Sequence, residues 1–324
     1  MTHNRRYNVY IASCDKDGGI YRYQFNSNDG TLNFTDFVKL DRPMYMSIKN
    51  RKLYALMRAP FKDNNESGLI EYDITDDGSI INPSKIISTH GEVACHITAD
   101  GENVYCVNYI SGSVTKIPDI VVKHEGKGTA MPRQSSPHTH YVGLTPDNKY
   151  LCVTDLGLDK IFLYDKNLKY VSEAKVPSGH GARHLVFSDC GKYCFVVNEL
   201  ESTVSAFRYC NGVFEYIDTC SCLPKNFGGE STAAAIRFYD NEIYVSNRGH
   251  DSISVLEFKN DRLMLKKSFS SGGASPRDFD IIDGYIISTN ESGNNVCVIN
   301  CKTGNIVSSE ENIKSPLAVV YSGL

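Results

Sequence analysis

Short runs rich in Val, Ile, Tyr and Phe alternate with polar positions along the whole chain, and Asp-Gly, Asn-Gly or Gly-Lys pairs break them every few residues. A period of two predicts β-strands, and no amphipathic helical pattern of useful length interrupts it. One sentence recurs: an apolar strand, a tight turn, a second strand ending in Asn or Asp. Its copies span Met44 to Arg58, Val93 to Asn108, His138 to Asp155, Arg183 to Asn198, Ser231 to Asn247 and Pro276 to Asn290. Their spacing of about 40 to 50 residues is that of a four-stranded propeller blade. A seventh copy is split between the chain ends: Pro316 to Tyr321 reads as its first strand and Tyr7 to Ser13 as its second. The pattern therefore predicts an all-β, seven-bladed propeller, closed by terminal strands sharing one blade, with residues 1–324 as a single domain.

In such a ring the first strand of each blade lines the central channel and the second runs back beside it. The start of the first and the end of the second then meet at one channel mouth, where a binding site is expected. What recurs there reads as structural; what breaks the pattern is a candidate for chemistry. A hand alignment places Met44, Val93, His140, Arg183, Ala234, Arg277 and Leu317 at equivalent first-strand positions, so cationic or titratable side chains gather in one sector. Asn108, Asp155, Asn198, Asn247 and Asn290 close the second strands and read mainly as turn residues; Asp155, Asn198 and Asn247 are also kept as substrate-binding candidates. Glu199, after Asn198, and Arg248-Gly249-His250, after Asn247, do not recur and are stronger candidates.

Composition narrows the partners. The 324 residues carry a formal charge of −4, so neither nucleic acid nor an anionic membrane is an expected partner, and a basic site must be local. No apolar run approaches the ~18 residues of a membrane span, and the start, Met1-Thr2-His3-Asn4-Arg5-Arg6, is polar. Eleven cysteines, several in apolar runs (Cys106, Cys152, Cys194, Cys297), read as free thiols. A cytoplasmic protein is expected. Cys220 and Cys222 lack a second pair for zinc, and no metal or organic cofactor is expected. A Gly-x-Ser-x-Gly elbow, a phosphate-cradling Gly-rich loop and a dinucleotide fingerprint are all missing.

Arginines beside histidines suit phosphate or carboxylate, because the guanidinium fork binds two oxygens and keeps its charge. Glu199 either activates water or holds Arg183. His138 and His140 stand two apart on a strand and face the same way; acid–base or oxyanion work fits them better than a metal. His184, next to Arg183, is expected to point away from it into blade packing. The stretch from Pro118 to Ser136 has no strand pattern and either shapes the entrance or is a connection without a role.

Several segments in order resemble one family, the seven-bladed propeller lactonases that include 6-phosphogluconolactonase and carboxy-cis,cis-muconate cyclase. They are Pro137-His138-Thr139-His140 with Pro146 to Tyr150 and Asp155-Leu156-Gly157; Gly181-Ala182-Arg183-His184-Leu185; Asn198-Glu199-Leu200; Ser246 to Ile253; and Ser275-Pro276-Arg277-Asp278-Phe279. The resemblance implies a catalytic set of His138 or His140, Arg183, Glu199 and Arg248, with Asp155, Asn198, Asn247, His250 and Arg277 around the substrate. It implies hydrolysis of a small anionic lactone, 6-phosphoglucono-δ-lactone in the pentose phosphate pathway, with no metal. Two positions depart from the family: Ala182 stands for Pro, and Ala235 for Glu. The rival readings are a muconate-type lactonizing enzyme, a non-catalytic propeller that binds a protein, and a calcium-dependent lactonase. A chain with no tryptophan lacks the Trp-Asp signature of protein-binding propellers, and arginines near the five Asn/Asp positions would repel calcium.

Overall fold

The computed structural model describes residues 5–323. Among them every regular element is a strand, and the strands form six four-stranded sheets and one five-stranded sheet. These are the seven blades of a propeller. Blade 1 runs Pro316–Gly323, Arg6–Ser13, Gly19–Asn26 and Thr31–Lys39 from channel to rim, so both chain ends build one sheet, as the split repeat predicts. The inner strands of blades 2 to 7 are Pro43–Lys49, Ala94–Ala99, Thr139–Leu144, Ala182–Phe187, Thr232–Tyr239 and Pro276–Ile282. Blade 2 departs from the pattern at its rim, where Ile80–Ile81 and Ile87–Glu92 both pair with Glu66–Ile74.

Each blade buries both faces, which is why its strands are apolar on alternate and non-alternate positions alike. In Arg6–Ser13, Val9 and Ile11 pack toward blade 7 with Ile282, Ile287 and Val296. Tyr10 and Ala12, one residue out of phase, pack toward blade 2 with Met46, Leu53 and Ala55. The closing blade is thus cemented on two sides by its period of two.

One irregularity positions the site. Near its start every inner strand carries a β-bulge, where an extra residue stands against its partner strand. The extra residue is Leu317 in blade 1, Met44 in blade 2, Cys95 in blade 3, His140 in blade 4, Arg183 in blade 5 and Arg277 in blade 7. In blade 6 Ala234 and Ala235 together face Ser246. Bulges re-aim side chains at sheet ends, and here seven of them aim at the channel mouth. Two expectations change. Blade 3 contributes Cys95 at this position rather than Val93, two residues earlier. His184 does not turn away from Arg183: its Nε2 lies 3.3 Å from Arg183 Nη1, because the bulge breaks the strict alternation that the expectation assumed.

Candidate active site

In six of the seven blades the residue that ends or follows the second strand joins the bulge residue at the mouth. Cys14, Arg58, Tyr109, Glu199, Arg248 and Glu291 occupy that place in blades 1, 2, 3, 5, 6 and 7, and all six line a cavity of about 450 Å³. Met44, Cys95, His140, Arg277 and Leu317 supply its inner wall. Arg183 is not on that wall. It lies buried in a crevice at the foot, beside His140, Cys95 and Arg277. Cys14, Met44, Val93 and Leu317 give one side of the cavity an apolar floor, with Arg58, Arg277 and Glu291 near Cys14, and Arg133, Arg248, Glu199 and His140 make the other side polar.

Glu199 is the centre of the polar wall. Its Oε2 accepts from Arg183 Nε at 3.0 Å and stands 3.1 Å from Arg248 Nη2. Its Oε1 accepts from Arg133 Nη2 at 2.7 Å. Burial alone would raise its pKa, but Arg248, Arg183, His140 and Arg133 overrule burial and hold the carboxyl well below the usual carboxylate range. Arg183 also donates to the Ala234 carbonyl at 2.7 Å. Burial, reinforced by Arg248, pushes its pKa down to about 10, so it remains a cation at neutral pH. Arg248 donates to the Ala233 carbonyl at 3.3 Å, and its buried Nε has no partner among the described residues. Burial and the neighbouring Arg183 drive His140 far below the ordinary imidazole value; its ring is neutral.

The two histidines of Pro137-His138-Thr139-His140 separate cleanly. His140 faces the cavity, with Cys95 Sγ 3.7 Å from its Nδ1. His138 lies outside it, stacked on Tyr109 with ring centroids 4.4 Å apart and its Nδ1 3.0 Å from the Tyr109 carbonyl. The bulge at His140 again explains why neighbours at i and i+2 diverge.

The other candidates fall into two groups. Arg277 reaches the cavity and meets Glu291 at 3.3 Å. Asp155, Asn198, Asn247 and His250 do not line it. Asn198 is fully buried and donates to Thr203 Oγ1 (3.0 Å) and Ser205 Oγ (2.9 Å). Asn247 does the same to Ser252 Oγ (3.3 Å) and Ser254 Oγ (2.9 Å), and Asn108 to Ser113 and Thr115. They clip the second strand to the third, a role readable in the Ser or Thr that follows five and seven residues later. Asp155 accepts from the His138 backbone N–H at 2.8 Å and pairs with His124 Nδ1 at 2.6 Å. His250 sits against Phe227 and Ser252. Ala235, where the resemblance leads one to expect Glu, is buried against Tyr244 and Phe279.

Sequence reasoning missed Arg133, which comes from the Pro118 to Ser136 stretch; contrary to expectation that stretch opens with a strand, Ile120–Lys123, the rim of blade 3 paired with Ser113–Lys116, and Arg133 stands in the connection after it. That stretch is firmly held. Gln134 is wholly buried; its amide nitrogen donates to the Leu156 carbonyl (2.8 Å) and Asp159 (2.7 Å), and its oxygen accepts from the N–H groups of Thr129 (2.9 Å) and Ala130 (2.8 Å). The alternation of hydrophobic positions carries no signal for such a pin. A buried Gln beside an Arg in an otherwise unpatterned segment is the only hint. No group of three or more His, Cys, Asp or Glu among the described residues is placed to hold a metal ion.

Comparison with known proteins agrees with this architecture. Residues 8–321 match the family described as Lactonase, 7-bladed beta-propeller. An uncharacterized protein of Staphylococcus aureus strain USA300 is 32% identical over 92% of this chain and 94% of its own length. A Lactobacillus plantarum protein of known structure superposes with a TM-score of 0.87 at 26% identity, covering 98% of this chain and 99% of that one. A candidate 6-phosphogluconolactonase from Bacteroides fragilis gives 0.87 at 23% identity, with 99% of each chain covered. The Pseudomonas aeruginosa periplasmic gluconolactonase gives 0.86 at 21%, covering 98% and 99%; these last two likenesses speak to the fold. The chain belongs to the seven-bladed β-propeller lactonase family.

Proposed function

We propose that this protein hydrolyses the ring ester of a small anionic lactone, with 6-phosphoglucono-δ-lactone as the first substrate to test. The observation that carries this reading is the charge balance of the mouth. Arg58, Arg133, Arg248 and Arg277 line the cavity and Arg183 its foot, against Glu199 and Glu291 on the wall and Asp278 at the foot, which Arg237 already pairs. Such a surplus of guanidinium favours a ligand that brings negative charge of its own. In the reaction, Arg183 and Arg248 stabilise the oxyanion that forms as water adds to the carbonyl, an interaction stronger in the transition state than before it. Glu199 takes a proton from the attacking water. The neutral His140 ring stands beside it as a hydrogen-bond partner for the lactone. No metal is called for in this scheme. The unpaired state of all eleven cysteines supports a reducing, cytoplasmic setting.

The test is turnover of freshly generated 6-phosphoglucono-δ-lactone coupled to 6-phosphogluconate dehydrogenase, with spontaneous hydrolysis subtracted and a chelator present or absent. Chelator-resistant turnover that falls more than tenfold in both Arg183→Ala and Glu199→Ala supports the reading. Absence of turnover moves the weight to a carboxylated, muconate-type substrate, which a guanidinium pocket binds as readily.

A further inference from the structure

Among the guanidiniums of the cavity, Arg133 alone comes from a connection between blades, and it alone bonds Glu199 Oε1 among the described residues. Arg183 and Arg248 both use Oε2. The three also differ in freedom. The Arg183 and Arg248 side chains are 2% and 15% exposed, whereas that of Arg133 is 46% exposed. Its second bond, from Nη2 to the Tyr109 hydroxyl at 3.2 Å, holds it over the mouth. Gln134 fixes the backbone one residue away, so a change of partner by Arg133 needs only side-chain rotation. Glu199 as it stands is a poor proton acceptor, since both oxygens are engaged by cations.

We infer that Arg133 is a substrate-operated latch on Glu199: the anionic group of the lactone draws the guanidinium away, and Oε1 is freed to accept a proton. The inference rests on the role given to Glu199 above. With the latch open, water breaks one O–H bond, its oxygen bonds the carbonyl carbon, and the proton passes to Oε1. The carbonyl π pair goes onto oxygen beside the remaining arginines. Collapse of that intermediate breaks the ring C–O bond, and the proton returns from Glu199 to the leaving ring oxygen. A neutral lactone leaves the latch shut. Arg133 is thus a positioning residue that couples recognition of charge to release of the base, and it selects anionic substrates at the chemical step as well as in binding.

The groups that face Glu199 are Arg133 from the connection, Arg183 and His140 from the inner strands of blades 5 and 4, Arg248 from blade 6, and Tyr109 and Cys95 from blade 3. Arg133→Gln removes one cation from this set and is placed at a half-exposed site that tolerates it. Compared on 6-phosphoglucono-δ-lactone and neutral glucono-δ-lactone, the variant is expected to lose about tenfold or more in kcat/KM on the phosphorylated lactone, and to keep or gain activity on the neutral one. The acid limb of kcat/KM, which reports the free enzyme, moves to higher pH in the variant. The acid limb of kcat with the phosphorylated lactone stays where it is, because the latch is already open in that complex. Arg133→Lys restores part of the preference. An equal loss on both lactones, or an unmoved kcat/KM limb, overturns the latch. If the wild-type protein turns over neither lactone, the proposed function alone fails. Calorimetry with inorganic phosphate then decides the latch: about tenfold weaker binding by Arg133→Gln supports it, and equal affinity overturns it.

Discussion

Glu199 works against the grain of its surroundings: a carboxylate taken out of water is costly, and only the guanidiniums packed around it make it tolerable. That dependence runs both ways, since Arg183 is buried and has Glu199 as its carboxylate partner. Glu199→Gln keeps the shape and removes the charge, leaving Arg183 and Arg248 without their counter-ion. We expect a loss of about 100-fold or more in kcat/KM, together with a fall of about 3 kcal/mol in unfolding free energy. Steady-state kinetics and urea denaturation on the same preparation check both. A loss of activity without any loss of stability would show that the carboxylate serves chemistry alone. At this scale the sequence marked Arg183, Glu199, Arg248 and Arg277 because each broke a pattern that its sister blades kept. It did not separate His138 from His140, because strand alternation puts them on one side and only the bulge sends His138 to Tyr109.

The connection before blade 4 shows how an element without strands becomes rigid. His124, buried between Asp155 and the Tyr164 hydroxyl (2.9 Å), ties its start. Gln134 ties its end through four bonds, and Arg133 projects from the tied end. Gln134→Ala removes those bonds, frees the partly buried N–H groups of Thr129 and Ala130, and leaves the buried Leu156 carbonyl without this donor, a loss of ~1–3 kcal/mol. Amide exchange over residues 124–137 is expected to speed up, and kcat/KM for an anionic lactone to fall about as far as in Arg133→Gln. Unchanged exchange there would mean that other contacts hold the segment. The blade hairpins were legible because burial on both faces makes their second strands short, nearly continuous apolar runs punctuated by turn residues. This connection and the bulges were not, since their order comes from single polar side chains and from one unpaired residue per strand. The shift from Val93 to Cys95 in blade 3 is the same failure at the level of register. The Asn near the end of the second strand was visible in blades 3, 5, 6 and 7, but in blades 3, 5 and 6 its amide turns to hydroxyls on the next strand, and in blade 7 it donates to the Ser271 carbonyl.

Across the ring, His96, His140 and His184 meet in the channel, with centroids 5.1 Å apart for His96 and His184 and 5.3 Å for His140 and His184. All three are buried and held neutral, His96 pushed down to about 3 and the others well below the ordinary value, with burial as the first cause and Arg183 among the others. The unfolded chain takes up protons at these positions as pH falls through ~6.5, while the folded chain does not. Folded pKa values below unfolded ones thus make stability fall with acid, by up to about 4 kcal/mol per pH unit for three such groups. Unfolding free energy followed from pH 7.5 to 5 is expected to drop steeply below pH 6.5, and His96→Gln to flatten that slope by about a third. A slope unchanged in this variant would mean that His96 gains a proton in the folded state.

The eleven bulge and strand-end residues that line the mouth also set how this molecule can change. They are not equally free: Met44 and Leu317 belong to the core between blades 1 to 3, with Cys14 packed on it, and Glu199 with Arg183 is buried, whereas Arg58 and Glu291 project into the cavity from the ends of their strands. Changes at the latter are felt mainly by the ligand. Recognition is therefore addressable blade by blade at those ends, while the Arg183–Glu199 centre stays in place. Lineages sharing this ring can diverge in what they accept without first inventing a new scaffold, and a designer can follow the same route.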